Sequence, residues 1–139
     1  MERKLRVGVV GVGRMGLFHL EKLRAFNNVD LVGFHEINSE RIRFVQERYE
    51  VKHFSNIEEL LFESDAVVVA SPTATHYSIV RQALESGTKV LVEKPMCERQ
   101  EEAQQLVELS QRAELLLQVG FLERFRLKKL LEGFPPGGI

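Results

Sequence analysis

Three glycines stand in the run Gly11-Val12-Gly13-Arg14-Met15-Gly16, between a short apolar stretch and a helix-like one. Each has a separate physical task in such a turn. The first permits the tight bend, the second lets main-chain N–H groups approach a diphosphate that a side chain would strike, and the third lets helix and strand pack closely. The helix opening there adds unpaired N–H donors and partial positive charge. Glu36 closes the next apolar run, 20 residues after Gly16. A carboxylate at that place accepts hydrogen bonds from an adenosine ribose diol and repels a 2′-phosphate. Together they read as a dinucleotide site that favours NAD over NADP, with Arg41 nearby keeping NADP open. The plainer alternative is a tight turn beside a solvated strand end.

Two further segments carry candidate chemistry. Ser71-Pro72-Thr73-Ala74-Thr75-His76 follows one apolar run, and Glu93-Lys94-Pro95 follows another. Lys94 there could reach a substrate hydroxyl, although the tripeptide alone fits a surface salt bridge equally well. The histidines are scattered. His19 reads as a packing or capping residue of the first helix, His35 as a strand end, His53 as surface, and His76 as either cleft or core. No paired His/Glu spacing appears, so no metal site is expected. Cys97 has no neighbouring histidine to activate it and reads as a small, half-buried filler.

The elements that must position these groups alternate along the chain. Leu5–Val10, Val29–His35, Ala66–Ala70, Lys89–Val92 and Leu115–Val119 read as strands, and Ala66-Val67-Val68-Val69-Ala70 is apolar on both faces, as a central parallel strand must be. Between them run helical stripes: Leu17, Leu20 and Leu23; Ile42 and Val45 within Arg41–Tyr49; Ile79, Val80, Ala83 and Leu84; and Ala103, Leu106, Val107 and Ser110. Ser55-Asn56-Ile57-Glu58 has the pattern of a capping box opening one more short helix. Strand then helix, repeated, gives an α/β fold: a doubly wound, mostly parallel sheet with right-handed crossovers and ligand sites at the carboxyl ends of its strands.

Composition bounds the function. With 139 residues the chain fits one domain. Its 19 Lys and Arg against 20 Asp and Glu leave no clustered basic excess, which argues against nucleic acid as a partner. No run of 18 apolar residues exists to span a membrane, and the first apolar stretch is too short for a secretory signal. A single cysteine excludes an intrachain disulfide. The expected compartment is the cytoplasm.

The ordered set of pieces resembles the N-terminal Rossmann domain of the glucose-fructose oxidoreductase/inositol dehydrogenase (Gfo/Idh/MocA) family. The pieces are the glycine loop with its Arg-Met insert, His19, Glu36, Ser-Pro-Thr-x-x-His, Glu93-Lys94-Pro95, and Val119-Gly120-Phe121 before Arg124-Phe125. The resemblance implies an NAD(P)-dependent dehydrogenase of sugars, sugar nucleotides or cyclitols. It implies that Gly11, Gly13, Arg14, Met15 and Glu36 hold the adenosine and diphosphate. It places Ser71, Pro72, Thr73 and His76 along the cofactor's middle, with Glu93 and Lys94 at the nicotinamide. Lys94 would be the catalytic residue, orienting the reacting hydroxyl and helping to move its proton while hydride leaves the same carbon. The Phe-Leu-Glu-Arg-Phe segment looks most like members acting on nucleotide-linked N-acetyl sugars.

Family members carry a second, sheet-based domain that closes over the substrate, supplies a partner for the lysine and usually forms the oligomer interface. This chain is expected to lack it: residues 1–126 read as the NAD(P)-binding domain, and 127–139 as a truncated linker or the start of the missing part. Arg126-Leu127-Lys128-Lys129 also departs from the Asn-Pro start that follows Arg-Phe in the family. The expectation is cofactor binding without turnover by this chain alone, with a sugar-type substrate once a second domain is supplied, and homo-oligomerisation left open. The alternatives are a non-catalytic NAD-binding sensor or interaction module, and a chain that complements a separately encoded domain.

Overall fold

In the computed structural model, residues 3–120 are described. Five strands, β1 (Leu5–Val10), β2 (Val29–His35), β3 (Ala66–Val69), β4 (Lys89–Val92) and β5 (Leu117–Val119), form one sheet in the order β2-β1-β3-β4-β5. Every pairing is parallel. The helices are α1 (Arg14–Arg24), α2 (Ser39–Tyr49), α3 (Ile57–Glu63), α4 (His76–Glu85) and α5 (Gln100–Ala113). The chain leaves β1 toward β2 and returns to place β3 on β1's other side. The strand order therefore reverses between β1 and β3, and a crevice opens at their carboxyl ends.

Side chains alternate across the sheet and feed two cores. Val7, Val9, Ala66, Val68 and Leu91 pack with Leu20 and Leu23 of α1 and Val45 of α2. Val67, Val69, Val90 and Val92 pack with Leu60 and Leu61 of α3, four residues of α4 and Leu106 of α5. Burying a leucine such as Leu20 or Leu23 contributes about 1.5–3 kcal/mol. These two leucines, with the rest of α1's buried stripe, fix the N-terminus of that helix over the end of β1.

The helix starts differ in a way that matters for the site. Asn38 caps α2, its side chain accepting from the Arg41 N–H, and Asn56 caps α3, accepting from the Glu58 N–H. The expected capping box is thus corrected by one residue. Asn56 rather than Ser55 is the cap, which puts Glu58 too early in the helix to reach back. The other element bounds differ from expectation by only one or two residues: α2 starts at Ser39, β3 stops at Val69 and β5 starts at Leu117. No described helix is long and apolar enough to cross a membrane. Phe121, Arg124, Phe125 and the boundary at 126/127 lie outside the described residues.

Candidate functional site

The glycine loop leaves β1, Glu36 leaves β2, Ser71 to Thr75 follow β3, and Glu93-Lys94 leave β4. In an all-parallel sheet these segments share the carboxyl edge, so the structure brings the predicted groups to one side of the molecule.

The three glycines separate by cause. Gly11 has φ +87°, and a Cβ there would lie 2.6 Å from the Ser71 nitrogen. On Gly16 a Cβ would lie 1.8 Å from the Gly11 carbonyl oxygen, beneath the first turn of α1. Both are required by the chain itself. Gly13 is not: it has φ −72° and ψ −158°, and a Cβ there would meet nothing within 4 Å. The space over Gly13 is open, as it must be for a diphosphate to approach the main chain. Behind it, α1 has no side-chain cap and no acidic residue in its first turn, whereas Glu40 and Glu58 follow the capped starts of α2 and α3. The N-terminus of α1 keeps its dipole for an anion. Arg14 is exposed there and Met15 half-buried.

Glu36 is half-buried and built into its surroundings. Its Oε1 accepts from the Val12 N–H at 2.9 Å, and its Oε2 accepts from the N–H groups of Ile37 and Asn38 at 3.0 and 2.9 Å. A carboxylate offers about four lone-pair positions. Oε2 is filled, and one position on Oε1 remains for a ribose hydroxyl. Arg41 does not stand free beside it: Nε and Nη2 both donate to the Val12 carbonyl oxygen, at 3.1 and 2.7 Å. Sequence reasoning left Arg41 as a possible phosphate ligand; its side chain instead grips the loop.

At the other end of the cleft, Thr75 Oγ1 donates to the Pro72 carbonyl at 2.6 Å, so the 2.7 Å contact between Ser71 and Thr75 hydroxyls has Ser71 as donor. The Ser71 oxygen keeps its acceptor positions. Pro72 is exposed and Thr73 half-buried in the short 3-10 turn Thr73–Thr75. The His76 ring is turned inward and only 1% exposed. Its Nε2 lies 2.7 Å from the Ser71 carbonyl oxygen, while Nδ1 lies 3.0 and 3.2 Å from those of Pro95 and Met96. His76 therefore joins the loop after β3 to the loop after β4 rather than presenting its ring to a ligand.

Glu93 is 8% exposed and pairs with Nε2 of His19, which is fully buried on α1. Burial pushes the His19 pKa down, against the opposing pull of Glu93, so the ring is held neutral. A neutral ring donating from Nε2 leaves Nδ1 with a bare lone pair, and Nδ1 has no partner. Lys94, the next residue, is exposed at the cleft edge. The His19–Glu93 pair is the contact sequence reasoning missed: the two residues stand 74 apart, and only the crossing of α1 over the sheet brings them together.

One other expectation changes. His53 is not a plain surface residue: it is half-buried, its Nε2 lies 3.1 Å from the Glu36 carbonyl oxygen, and its ring stacks on His35. His35 itself turns Nδ1 to the Phe54 carbonyl at 2.8 Å. Cys97 is half-buried as expected, with burial, and then Glu102, pushing its thiol pKa up.

Comparison with known proteins agrees with the fold. The model of an oxidoreductase family with an NAD-binding Rossmann fold matches residues 5–121. A UDP-N-acetylglucosamine 3-dehydrogenase from Acidithiobacillus ferrooxidans is 36% identical over 120 residues, 86% of this chain but 38% of that protein. A myo-inositol 2-dehydrogenase from Thermotoga maritima is 31% identical over 140 residues, 97% of this chain and 42% of the relative. The chain thus spans about two-fifths of these relatives' length. Among solved structures, GenD2 of gentamicin A biosynthesis, in complex with NAD, superposes with a TM-score of 0.80 at 34% identity, covering 86% of this chain and 35% of that one.

Proposed function

The chain belongs to that oxidoreductase family, as its NAD-binding Rossmann-fold domain, and from this premise we propose that it binds NAD in preference to NADP and presents the nicotinamide to a sugar-type alcohol. The carrying observation is Gly13. Nothing in the chain requires a glycine there, and the space over it lies beside the uncapped start of α1. A diphosphate is the group that needs both features.

When bound, the cofactor supplies a hydride acceptor. The chain's own residues do the rest. Gly11 and Gly13 with the first turn of α1, which carries Arg14 and Met15, receive the diphosphate on main-chain N–H groups. Glu36 receives a ribose hydroxyl on its open Oε1 position and opposes a phosphate there. Ser71, Pro72 and Thr73 line the middle of the cofactor, and His76 holds their loop against that of Pro95. Glu93, anchored by His19, fixes the main chain from which Lys94 projects. Lys94 is the catalytic residue of this reading, placed to orient a substrate hydroxyl and help move its proton.

The substrate class is a sugar, sugar nucleotide or cyclitol, as in the relatives' names, and the compartment is the cytoplasm. In this reading these 139 residues supply the cofactor site, and turnover of the sugar-type substrate takes place only with a second domain, as the family resemblance implies.

Calorimetric titration of the 139-residue chain tests the reading. NAD binds and NADP binds more weakly; absence of binding by either at millimolar concentration overturns it. Gly13→Val keeps the fold and lowers NAD affinity roughly 100-fold, equivalent to about two charge-assisted hydrogen bonds. Turnover of a sugar, sugar-nucleotide or cyclitol panel by the isolated chain would overturn the need for a second domain.

A further inference from the structure

The two peptide groups that flank Val12 are held at more points than a loop needs. The Val12 N–H donates to Glu36 Oε1 at 2.9 Å, and the Val12 carbonyl receives the forked pair of donors from Arg41 at 3.1 and 2.7 Å. The guanidinium is itself seated, with its carbon 5.2 Å from the centre of the Phe44 ring one turn along α2. The bonds close on themselves. Glu36 Oε2 accepts from the Asn38 N–H, Asn38 accepts from the Arg41 N–H, Arg41 reaches Val12, and Val12 returns to Glu36.

In a trans peptide the carbonyl and the following N–H point to opposite sides. The Val12–Gly13 bond is trans, so a carbonyl fixed toward Arg41 fixes the Gly13 N–H the other way. Gly11 is pinned as well, its N–H donating to the His35 carbonyl at 2.8 Å, and the Gly13 carbonyl is taken by the Leu17 N–H at 2.9 Å. The Gly13 N–H has no partner among the described residues. The space over the Gly13 Cα is open, since a Cβ there would meet nothing within 4 Å.

We propose that Arg41 is a positioning residue for the diphosphate cradle: by holding the Val12 carbonyl it orients the Gly13 N–H toward the ligand, and its commitment to that bond withholds it from a 2′-phosphate. The inference rests on the diphosphate reading of the glycine loop. It also makes α2, through Phe44 and Asn38, part of the cofactor site without touching the cofactor. A lysine cannot replace the arginine, because a single ammonium does not reproduce the planar fork on one oxygen or the stack on Phe44.

The test uses the 139-residue chain and its Arg41→Ala and Arg41→Lys variants, titrated with NAD, NADP and ADP by calorimetry and with adenosine by amide-shift titration. The Gly13 amide is followed by ¹H–¹⁵N spectra without ligand, and folding by thermal melts. Both variants melt cooperatively, shift the Gly13 amide, and lose about 10-fold in affinity for NAD and ADP. Adenosine, which lacks the diphosphate, binds all three chains alike, and the ratio of NADP to NAD affinity does not fall. A selective loss of NADP would make Arg41 a 2′-phosphate ligand and overturn the proposal. So would an Arg41→Lys chain equal to the parent, which would reduce the role to charge, or an unmoved Gly13 amide. A parent chain that binds no dinucleotide refutes the diphosphate reading instead, while the Gly13 amide shift still reports whether Arg41 orients the peptide.

Discussion

Glu36 and Glu93 occupy equivalent places, each the first residue past a parallel strand at the carboxyl edge, yet they are built in opposite ways. Glu36 is half-exposed and its partners are three main-chain N–H groups, with one acceptor position left over. Glu93 is 8% exposed and its partner is a buried imidazole from a helix across the sheet. Groups held by main-chain donors can stay half in water and remain open to a ligand. A carboxylate sunk beside a ring has been spent on the scaffold, and what it offers the cleft is the position of its neighbour Lys94. In the proposed reading one end of the cleft is a binding surface, and the other is a frame.

The largest expected effect tests the frame. His19→Leu leaves the buried Glu93 carboxylate without its hydrogen-bond donor, which costs about 3 kcal/mol. Urea denaturation should show that loss, whereas Glu36→Ala, which frees two N–H groups at exposed Ile37 and Asn38 and one at buried Val12, costs about 1.5 kcal/mol. Equal losses would erase the distinction between the two carboxylates. The next effect tests the surface. Glu36→Ala lowers NAD affinity about 10- to 100-fold, the worth of one hydrogen bond to a charged acceptor together with the loosened Val12 peptide. NADP affinity falls less, because the 2′-phosphate loses a repelling neighbour as well. Calorimetry that found equal losses for both cofactors would remove Glu36 from the ribose.

Much of this arrangement was legible in the residues. The spacing of Gly11, Gly13 and Gly16, and Glu36 after the second strand, located the glycine loop and the carboxylate beside it because both are local consequences of a βα turn. Strand and helix bounds held to within a residue or two because the apolar periods are strong. Long-range partners were not legible. His19 reads as a packing histidine by type, and nothing in its neighbourhood announces Glu93. Arg41 carries the same charge whether it waits for a phosphate or grips Val12, and only the direction of its side chain decides. Ser55 and Asn56 are both good caps, and a one-residue choice between them is made by tertiary packing of Leu60 and Leu61.

Acid sharpens the comparison without a ligand. Main-chain N–H groups do not titrate, but His19 does. Burial holds its folded pKa below the ordinary value of about 6.5, so in the window below that value the unfolded chain binds the extra proton. Stability is therefore full above about pH 6.5 and declines as pH falls through that window toward the folded value. His19→Gln, which cannot titrate, removes this limb of the curve in urea melts. A separate limb lies at lower pH and belongs to the far edge of the sheet. Burial pushes the Asp65 carboxyl up, but bonds from Arg6 and Arg3 outweigh it and hold the group well below the usual carboxylate range. Its stabilisation is present above about pH 4 and is lost as pH falls toward the folded value. Asp65→Asn flattens that lower limb and leaves the His19 limb in place.

The smallest effect separates architecture from binding within one residue type. Asn38 and Asn56 do the same work at the starts of α2 and α3, accepting from the Arg41 N–H at 2.9 Å and the Glu58 N–H at 2.8 Å. Replacing either with alanine costs about 1 kcal/mol. Only Asn38 belongs to the ring of bonds through Glu36, Arg41 and Val12, and fraying the first turn of α2 loosens the residue that holds the Val12 carbonyl. Asn38→Ala should therefore lose about 3-fold in NAD affinity, a fraction of one hydrogen bond, while Asn56→Ala loses none. If thermal melts show matched destabilisation and calorimetry shows matched affinity, the ring does not act as a unit and the binding surface ends at Glu36. If the affinities part while the melts agree, the surface reaches through main-chain hydrogen bonds into a helix that never meets the ligand.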